Sequence, residues 1–180
     1  MYIFGQSVLR KEAEEIPTDH PGLSQLIQDM YETMQKAEGV GLAAPQIGHS
    51  IRMFVIDLDV LSNDYPQYKD YLHAFINPQI IEESEETEVM EEGCLSIPGI
   101  HEAVRRPRSI HVRYIDENLQ EHDEWIDGYA ARVFQHEYDH LDGKLFIDHL
   151  SPLRKQLIKK KLIAMQKGQI RCNYKTKANH

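Results

Sequence analysis

The chain of 180 residues has only two cysteines, Cys94 and Cys172, too few for a disulfide framework. That shortage points to a reducing, cytoplasmic setting, in which Cys94 stays available as a thiolate. No apolar run approaches the roughly 20 residues that a membrane-spanning helix needs. The N-terminus, MYIFGQSVLRKEAEEI, turns acidic too early for a signal peptide. Internal repeats and low-complexity linkers are absent, and the length suits one domain, residues 1–180, with chain enough to bury a core. Acidic residues are missing from the end: residues 151–180 hold nine Lys or Arg and no Asp or Glu. The net charge of −9 therefore hides an acidic body. Its 150 residues carry 29 acidic and 11 basic groups, a balance of −18. A binder of free nucleic acid would not be built that way. The basic tail is either a solvated helix or a docking element for something anionic.

What is present is patterned. Leu23, Leu26, Ile27, Met30, Met34 and Ala37 predict an amphipathic helix over 23–37, ended by Gly39-Val40-Gly41. Residues 51–58 read as a strand, and 72–81 as another, interrupted near Asn77-Pro78 by an edge or a bulge. The glutamate-rich stretch 82–92 reads as a solvated strand edge or a loop. Residues 110–115 and 121–126 predict a hairpin turning at Glu117-Asn118. Ser151 as cap and Pro152 as first residue open a last helix to about Lys167. Residues 1–20 read as irregular, with Pro17 as a breaker. Strands clustered mid-chain, with helices at both ends and the centre, predict an α+β fold. Antiparallel or mixed sheets would pack around the central helix, with a further helix at the C-terminus.

That central helix is GYAARVFQHEYDHLDG, residues 128–143, and it contains His136-Glu137-Tyr138-Asp139-His140, an H-E-x-x-H pattern. His136 and His140 stand one turn apart on one face, so both imidazoles can reach one metal ion. Glu137 leans the same way, where a carboxylate can deprotonate a water on that metal. Tyr129, Val133, His136, Glu137 and His140 form one stripe, and Gly143 marks the stop. Two surface histidines would spell the same motif. The apolar stripe argues otherwise, because it turns the motif inward. A buried carboxylate beside two imidazoles is costly unless something charged compensates it, and a divalent cation is the simplest candidate.

Two histidines are two ligands, and a catalytic metal needs a third. No Glu follows Glu137, which removes a thermolysin-like ligand, and Phe146 stands where a metzincin carries its last His. Asp142 is too close along the helix; Asp148 and His149 stay open by spacing. The better candidate lies upstream, within Glu91-Glu92-Gly93-Cys94-Leu95-Ser96-Ile97-Pro98-Gly99. A lone cysteine is more often a buried structural residue. The place of Cys94 between Gly93 and a Ser-Ile-Pro turn favours a ligand.

Three stretches stand out in order: Gly39-Val40-Gly41-Leu42-Ala43-Ala44-Pro45-Gln46, Glu92-Gly93-Cys94-Leu95-Ser96, and Gln135-His136-Glu137-Tyr138-Asp139-His140. Together they resemble the peptide deformylase family, whose pattern is G-φ-G-φ-A-A-x-Q, E-G-C-φ-S and Q-H-E-x-D-H, with φ apolar. The likeness runs from Leu9-Arg10-Lys11 to Asp148-His149-Leu150. It implies a hydrolase that removes the N-formyl group from the formyl-methionine of newly made polypeptides, releasing formate. It implies Cys94, His136 and His140 as ligands with a fourth position open to water, and Fe2+ as the metal, with Zn2+ or Ni2+ able to substitute. Glu137 would take the proton of that water and pass it to the departing amine. The Gln46 amide and the Leu95 backbone N–H would hold the oxyanion. Gly41 would pair with the extended substrate as with an added strand. Val133, with Val40 and Tyr129, would line the methionine pocket.

Around these residues, Asp139 is expected either to hold His136 or a nearby backbone group or to be a surface residue of the helix, and Glu92 to pair with Arg106. One departure is that Gly99-Ile100-His101 stands where many members carry an Arg. The tail helix, with Arg154, Lys155, Lys159, Lys160, Lys161 and Lys167, would dock on the ribosome near the exit of the nascent chain. Its alternative is a solvated helix packed through Leu153, Leu157 and Leu162. Two rival functions are an H-E-x-x-H endopeptidase, and a metal-binding module in which Glu137 merely fills space.

Overall fold

Two antiparallel sheets flank one buried helix in the structure, a computed structural model that describes residues 1–17 and 19–177. Thr18 and the last three residues of the basic tail lie outside the described residues. The first helix, α1 (Leu23–Lys36), buries Leu23, Ile27, Met30, Tyr31 and Met34, which recur at helical spacing on one face. It ends where Glu38 takes a left-handed φ of 57° and the Gly39 N–H donates back to the Met34 carbonyl at 3.0 Å.

The larger sheet has the order β1 (Gly41–Ala43), β2 (Met53–Asp57), β3 (Leu72–Glu83), β6 (Ser109–Ile115) and β7 (Glu121–Asp127). The expected hairpin is the β6–β7 pair. All five residues of β2 are buried, as the apolar run Met53–Ile56 demands of a strand covered on both faces, and Asp57 at its end accepts from Gln35 Nε2. The interruption expected near Asn77-Pro78 is a bulge between Ile76 and Gln79. Asn77 there adopts φ 48°, and its side chain exchanges two hydrogen bonds with the backbone of Ile16, at 2.9 and 2.7 Å. The bulge therefore also pins the N-terminal segment. β1 is an edge strand, paired only with β2.

The smaller sheet pairs β4 (Thr87–Cys94) with β5 (Ile97–Pro107). The glutamate-rich stretch is thus strand in both sheets, the end of β3 and most of β4, with its side chains largely in solvent. β5 has no counterpart among the expected strands. It does alternate, but its inward residues are Ile97, Ile100, Glu102, Val104 and Arg106. Two of these are charged and are paired, Arg106 with Glu92 in the interior and Glu102 with the exposed Arg154. Charge at inward positions disguises the period of two.

The helix α2 (Gly128–Leu141) starts at Asp127, whose carboxylate accepts from the Gly128 N–H. Its buried residues run right round it, including Ala131, Phe134 and Leu141 as well as the H-E-x-x-H face. Phe134 stands edge-on to Phe54 and Phe75, at centroid distances of 4.9 and 5.1 Å, and all three rings are fully buried. This cluster fixes how far α2 settles onto the large sheet. The last helix, α3 (Pro152–Gln166), is capped by Ser151, whose hydroxyl accepts from the Arg154 N–H. It packs through Ile158 and Met165, with Leu162 half-buried. Leu153 and Leu157 are 67% and 62% exposed, which corrects the face expected from the sequence. The cause is Arg154, which, though exposed itself, is bound to the buried Glu102 at 2.8 Å and so draws the 158–162–165 face inward. Beyond α3 the chain doubles back, and Lys177 bridges to Tyr2 in parallel. No helix among the described residues is long and apolar enough to cross a membrane.

Because Phe75 touches both Phe54 and Phe134, truncating it leaves a void that neither ring can fill. Phe75→Ala is expected to lower unfolding free energy by roughly 3–5 kcal/mol in a denaturant titration. A loss under about 1 kcal/mol would show that the aromatic cluster does not seat α2.

Candidate active site

The face of α2 turned toward β4 and β5 carries His136, Glu137 and His140, all buried. Cys94 closes β4, and its half-buried Sγ lies 3.3 Å from His140 Nε2. One ligand atom from each of Cys94, His136 and His140 lies within 4.8 Å of the others. A thiolate and two imidazoles this close form a donor set for a divalent transition metal. The downstream alternatives are engaged elsewhere: Asp142 with Arg52, Asp148 with Arg10, and His149 with Asp139.

His136 Nδ1 faces Glu92 Oε2 at 2.9 Å, which leaves Nε2 for the site. Glu92 is held in turn by Arg106, from Nε at 2.6 Å and Nη2 at 3.1 Å, and by Arg132 Nη1 at 2.8 Å. The expectation for Asp139 is therefore corrected. Its carboxylate accepts from Arg106 at 2.9 Å and meets His149 at 2.7 Å, and it bonds neither His136 nor a backbone group near it. The strand-borne Glu92 already occupies Nδ1, and Asp139 is drawn to the remaining arginine nitrogen. Arg132 was not anticipated, although a charge inside the apolar stripe of α2, one turn before His136, was a usable signal.

The electrostatics favour a cation. Burial pushes the His140 imidazole down to about 3, so it is neutral, the form that ligates. His136 goes the other way: burial opposes its protonation, but Cys94 and Glu92 outweigh that and raise it well above the usual range. The groups around that ring call for positive charge. Burial would also raise Glu92, yet bonds from His136 and Arg106 hold it well below the usual carboxylate range. Glu137 has no such help. Burial pushes it up to about 7, against the pull of His136, and its Oε2 has no partner among the described residues. His140 Nδ1 is likewise unpartnered there.

Gln46 sits in a 3-10 turn, Ala44–Ile47, directly after β1. The Ala43 N–H donates to its Oε1 at 2.8 Å. A backbone N–H can only donate, so the amide orientation is fixed and Nε2 points the other way. That nitrogen donates to Ser96 Oγ at 3.1 Å and approaches Cys94 Sγ at 3.5 Å. Leu95 follows Cys94 in a two-residue loop, Leu95-Ser96, that turns β4 into β5.

A cleft of about 450 Å³ opens over these groups. Val40, Tyr129, Val133 and Leu95 line it, alongside Gln46, Cys94, His136 and Glu137. Gly41 lies one residue behind Val40, and a Cβ there would overlap the Glu137 carboxylate. One wall was not anticipated at all. Arg171, Cys172, Asn173 and Tyr174 return from the end of the chain to complete the rim. No local pattern announces such a return.

A family model described as polypeptide deformylase matches residues 1–156. The peptide deformylase of Christiangramia forsetii is 49% identical over 179 residues, covering 96% of this chain and 91% of the relative. That of Salinibacter ruber is 44% identical over 178 residues, covering 97% and 91%. Among solved structures, the peptide deformylase of Plasmodium falciparum superposes with a TM-score of 0.84 at 33% identity, covering 93% of this chain and 95% of that one. The Thermotoga maritima enzyme gives 0.76 at 45% identity, covering 84% and 97%. A chain that shares nearly half its residues with one deformylase and its backbone with several others belongs to the peptide deformylase family, metal-dependent hydrolases that remove the N-formyl group from N-terminal formyl-methionine.

Proposed function

We propose that Glu137, Gln46 and Leu95 carry out deformylation at a cation held by Cys94, His136 and His140. The observation that carries this reading is a buried Glu137 oxygen without a partner among the described residues, beside three convergent ligand atoms. The bound cation would supply Lewis acidity, polarising a water and the formyl oxygen. Glu137 is the proton carrier. With its ordinary affinity for protons raised by burial, its carboxylate accepts a proton from the attacking water near neutral pH. The same oxygen then returns that proton to the departing amine nitrogen. Negative charge that develops on the formyl oxygen meets two donors, Gln46 Nε2 and the Leu95 N–H. Gln46 suits that role because its amide is already turned by Ala43, so nothing reorganises during the reaction.

The substrate enters as an extended strand. The open side of the edge strand β1 offers Gly41 backbone groups for pairing, and the cleft beside Val40, Tyr129 and Val133 takes the methionine side chain. For the ion we favour Fe2+, with Zn2+ or Ni2+ as working replacements, since thiolate and imidazole suit all three. Residues 1–180 act as one catalytic unit in the cytoplasm, where nascent formyl-methionyl chains arise and Cys94 stays reduced. The outer face of α3 presents Leu153 and Leu157 among Lys159, Lys160 and Lys161, which supports docking on the ribosome.

Enzyme purified without oxygen is expected to carry stoichiometric iron and to release formate from formyl-Met-Ala. Glu137→Gln should keep the iron and lose turnover by about 10²–10⁴. Retained turnover would sink the proton-carrier role, and cleavage of unformylated protein would favour an endopeptidase. Gln46→Leu should cost about 10²–10³ in kcat, and near-normal turnover would remove Gln46 from the reaction. The enzyme should also co-sediment with ribosomes at low salt; if removing residues 151–180 leaves that unchanged, α3 is not the docking element.

A further inference from the structure

The Leu95-Ser96 loop is short of internal support. It joins β4 to β5 through two residues, with Cys94 paired to Ile97 and a register shift just before, between Gly93 and Cys94. Two-residue hairpins that support themselves use turns with positive φ, which match the twist of the strands. Neither Leu95 nor Ser96 has positive φ. Within the hairpin end the Ser96 N–H donates to Cys94 Sγ at 3.4 Å, and further holds come from outside. Phe4 N–H donates to the Ser96 carbonyl at 2.8 Å. Gln46 Nε2 donates to Ser96 Oγ. The Leu95 side chain lies against Gly39, where an added Cβ would come within 2.7 Å of Leu95 Cδ1. Among the described residues the Leu95 carbonyl has one hold, the Tyr174 hydroxyl, which donates to it at 2.8 Å.

Tyr174 lies beyond the 1–156 stretch that the family model matches. Its segment is anchored at both ends. Asn173 Nδ2 donates to Glu38 Oε2 at 3.0 Å, on the far lip of the cleft. Lys177 N–H donates to the Met1 carbonyl at 2.8 Å, and Ile3 N–H to the Lys177 carbonyl at 3.3 Å. Residues 171–177 thus form a strap, tied to the N-terminal segment on one side and to the end of α1 on the other, with Tyr174 reaching down between.

We propose that Tyr174 is a positioning residue for deformylation: its hydroxyl clamps the Leu95 carbonyl and so fixes the direction of the Leu95 N–H toward the reacting formyl oxygen. The inference rests on the deformylase reading and on the role given to Leu95. The coupling is through one residue's backbone. With the carbonyl pinned, rotation about the Leu95 backbone bonds is limited, and the N–H two bonds away keeps its aim. The strap also lines the cleft, together with Pro98 and Gly99.

Tyr174→Phe removes the hydroxyl and keeps the ring, so the fold survives. A neutral hydrogen bond contributes about 0.5–1.5 kcal/mol, so kcat on formyl-Met-Ala is expected to fall roughly threefold to tenfold. KM should stay within about twofold and bound metal should be unchanged, since no substrate-binding group or ligand is altered. Hydrogen exchange across residues 93–97 should quicken in the same variant. Unchanged exchange would show that the hydroxyl does not clamp the loop. Faster exchange with unchanged kcat, or a rise in KM alone, would show that the clamp does not serve the oxyanion site. Loss of metal in step with kcat would assign Tyr174 to the ligand loop at large and overturn the proposal. A wild-type enzyme that releases no formate would overturn the deformylase reading instead, while exchange would still decide the clamp.

Discussion

The buried carboxylate of Glu92 is the contact on which this architecture hangs. It gathers four hydrogen bonds, three from Arg106 and Arg132 and one shared with His136. Those residues come from β4, β5 and α2, so one anion ties the small sheet to the central helix. Leaving such a charge unpaired in the interior costs several kcal/mol. The interior therefore closes only when both arginines and the imidazole are in place. Ion pairs of this kind add little net stability against an apolar core of equal volume. What this one adds is direction, because it fixes which nitrogen His136 turns to the site.

The helix α2 is held by unlike forces on its two sides. Phe134 is gripped by Phe54 and Phe75, where packing is tight and non-polar. His136 and Arg132 are gripped by Glu92, where packing is polar and directional. Between them stands Glu137, buried and with its Oε2 unpartnered among the described residues, and so of high proton affinity. Only a glycine at position 41 lets β1 approach that carboxylate. The edge strand β1 and the Glu137 carboxylate are thus placed by one close contact.

Much of this was legible beforehand. The spacing of His136 and His140, the apolar stripe of α2, the bulge at Asn77-Pro78 and the cap at Ser151 are local features, and local rules read them. β5 was not legible because Glu102 and Arg106 occupy inward positions, and their charge breaks the alternation that marks a strand. The packing face of α3 was misread for a related reason. Leu153 and Leu157 looked like anchors, yet Arg154 finds its partner on another strand and turns them outward. The partner of His136 was not legible because it is not Asp139 on the same helix but Glu92, 44 positions upstream.

The sequence by itself determined the donor types, their one-turn spacing on a helix, and the acid beside them, because these depend on side-chain chemistry and a period of 3.6 residues. Only the tertiary structure decided that Glu92 aims His136, that Gln46 is turned by Ala43, and that the end of the chain returns to hold Leu95. Each of these is a pairing between a donor and an acceptor that folding brings together. A chain shows which groups must be satisfied, but which partner satisfies them is settled where the backbone happens to pass.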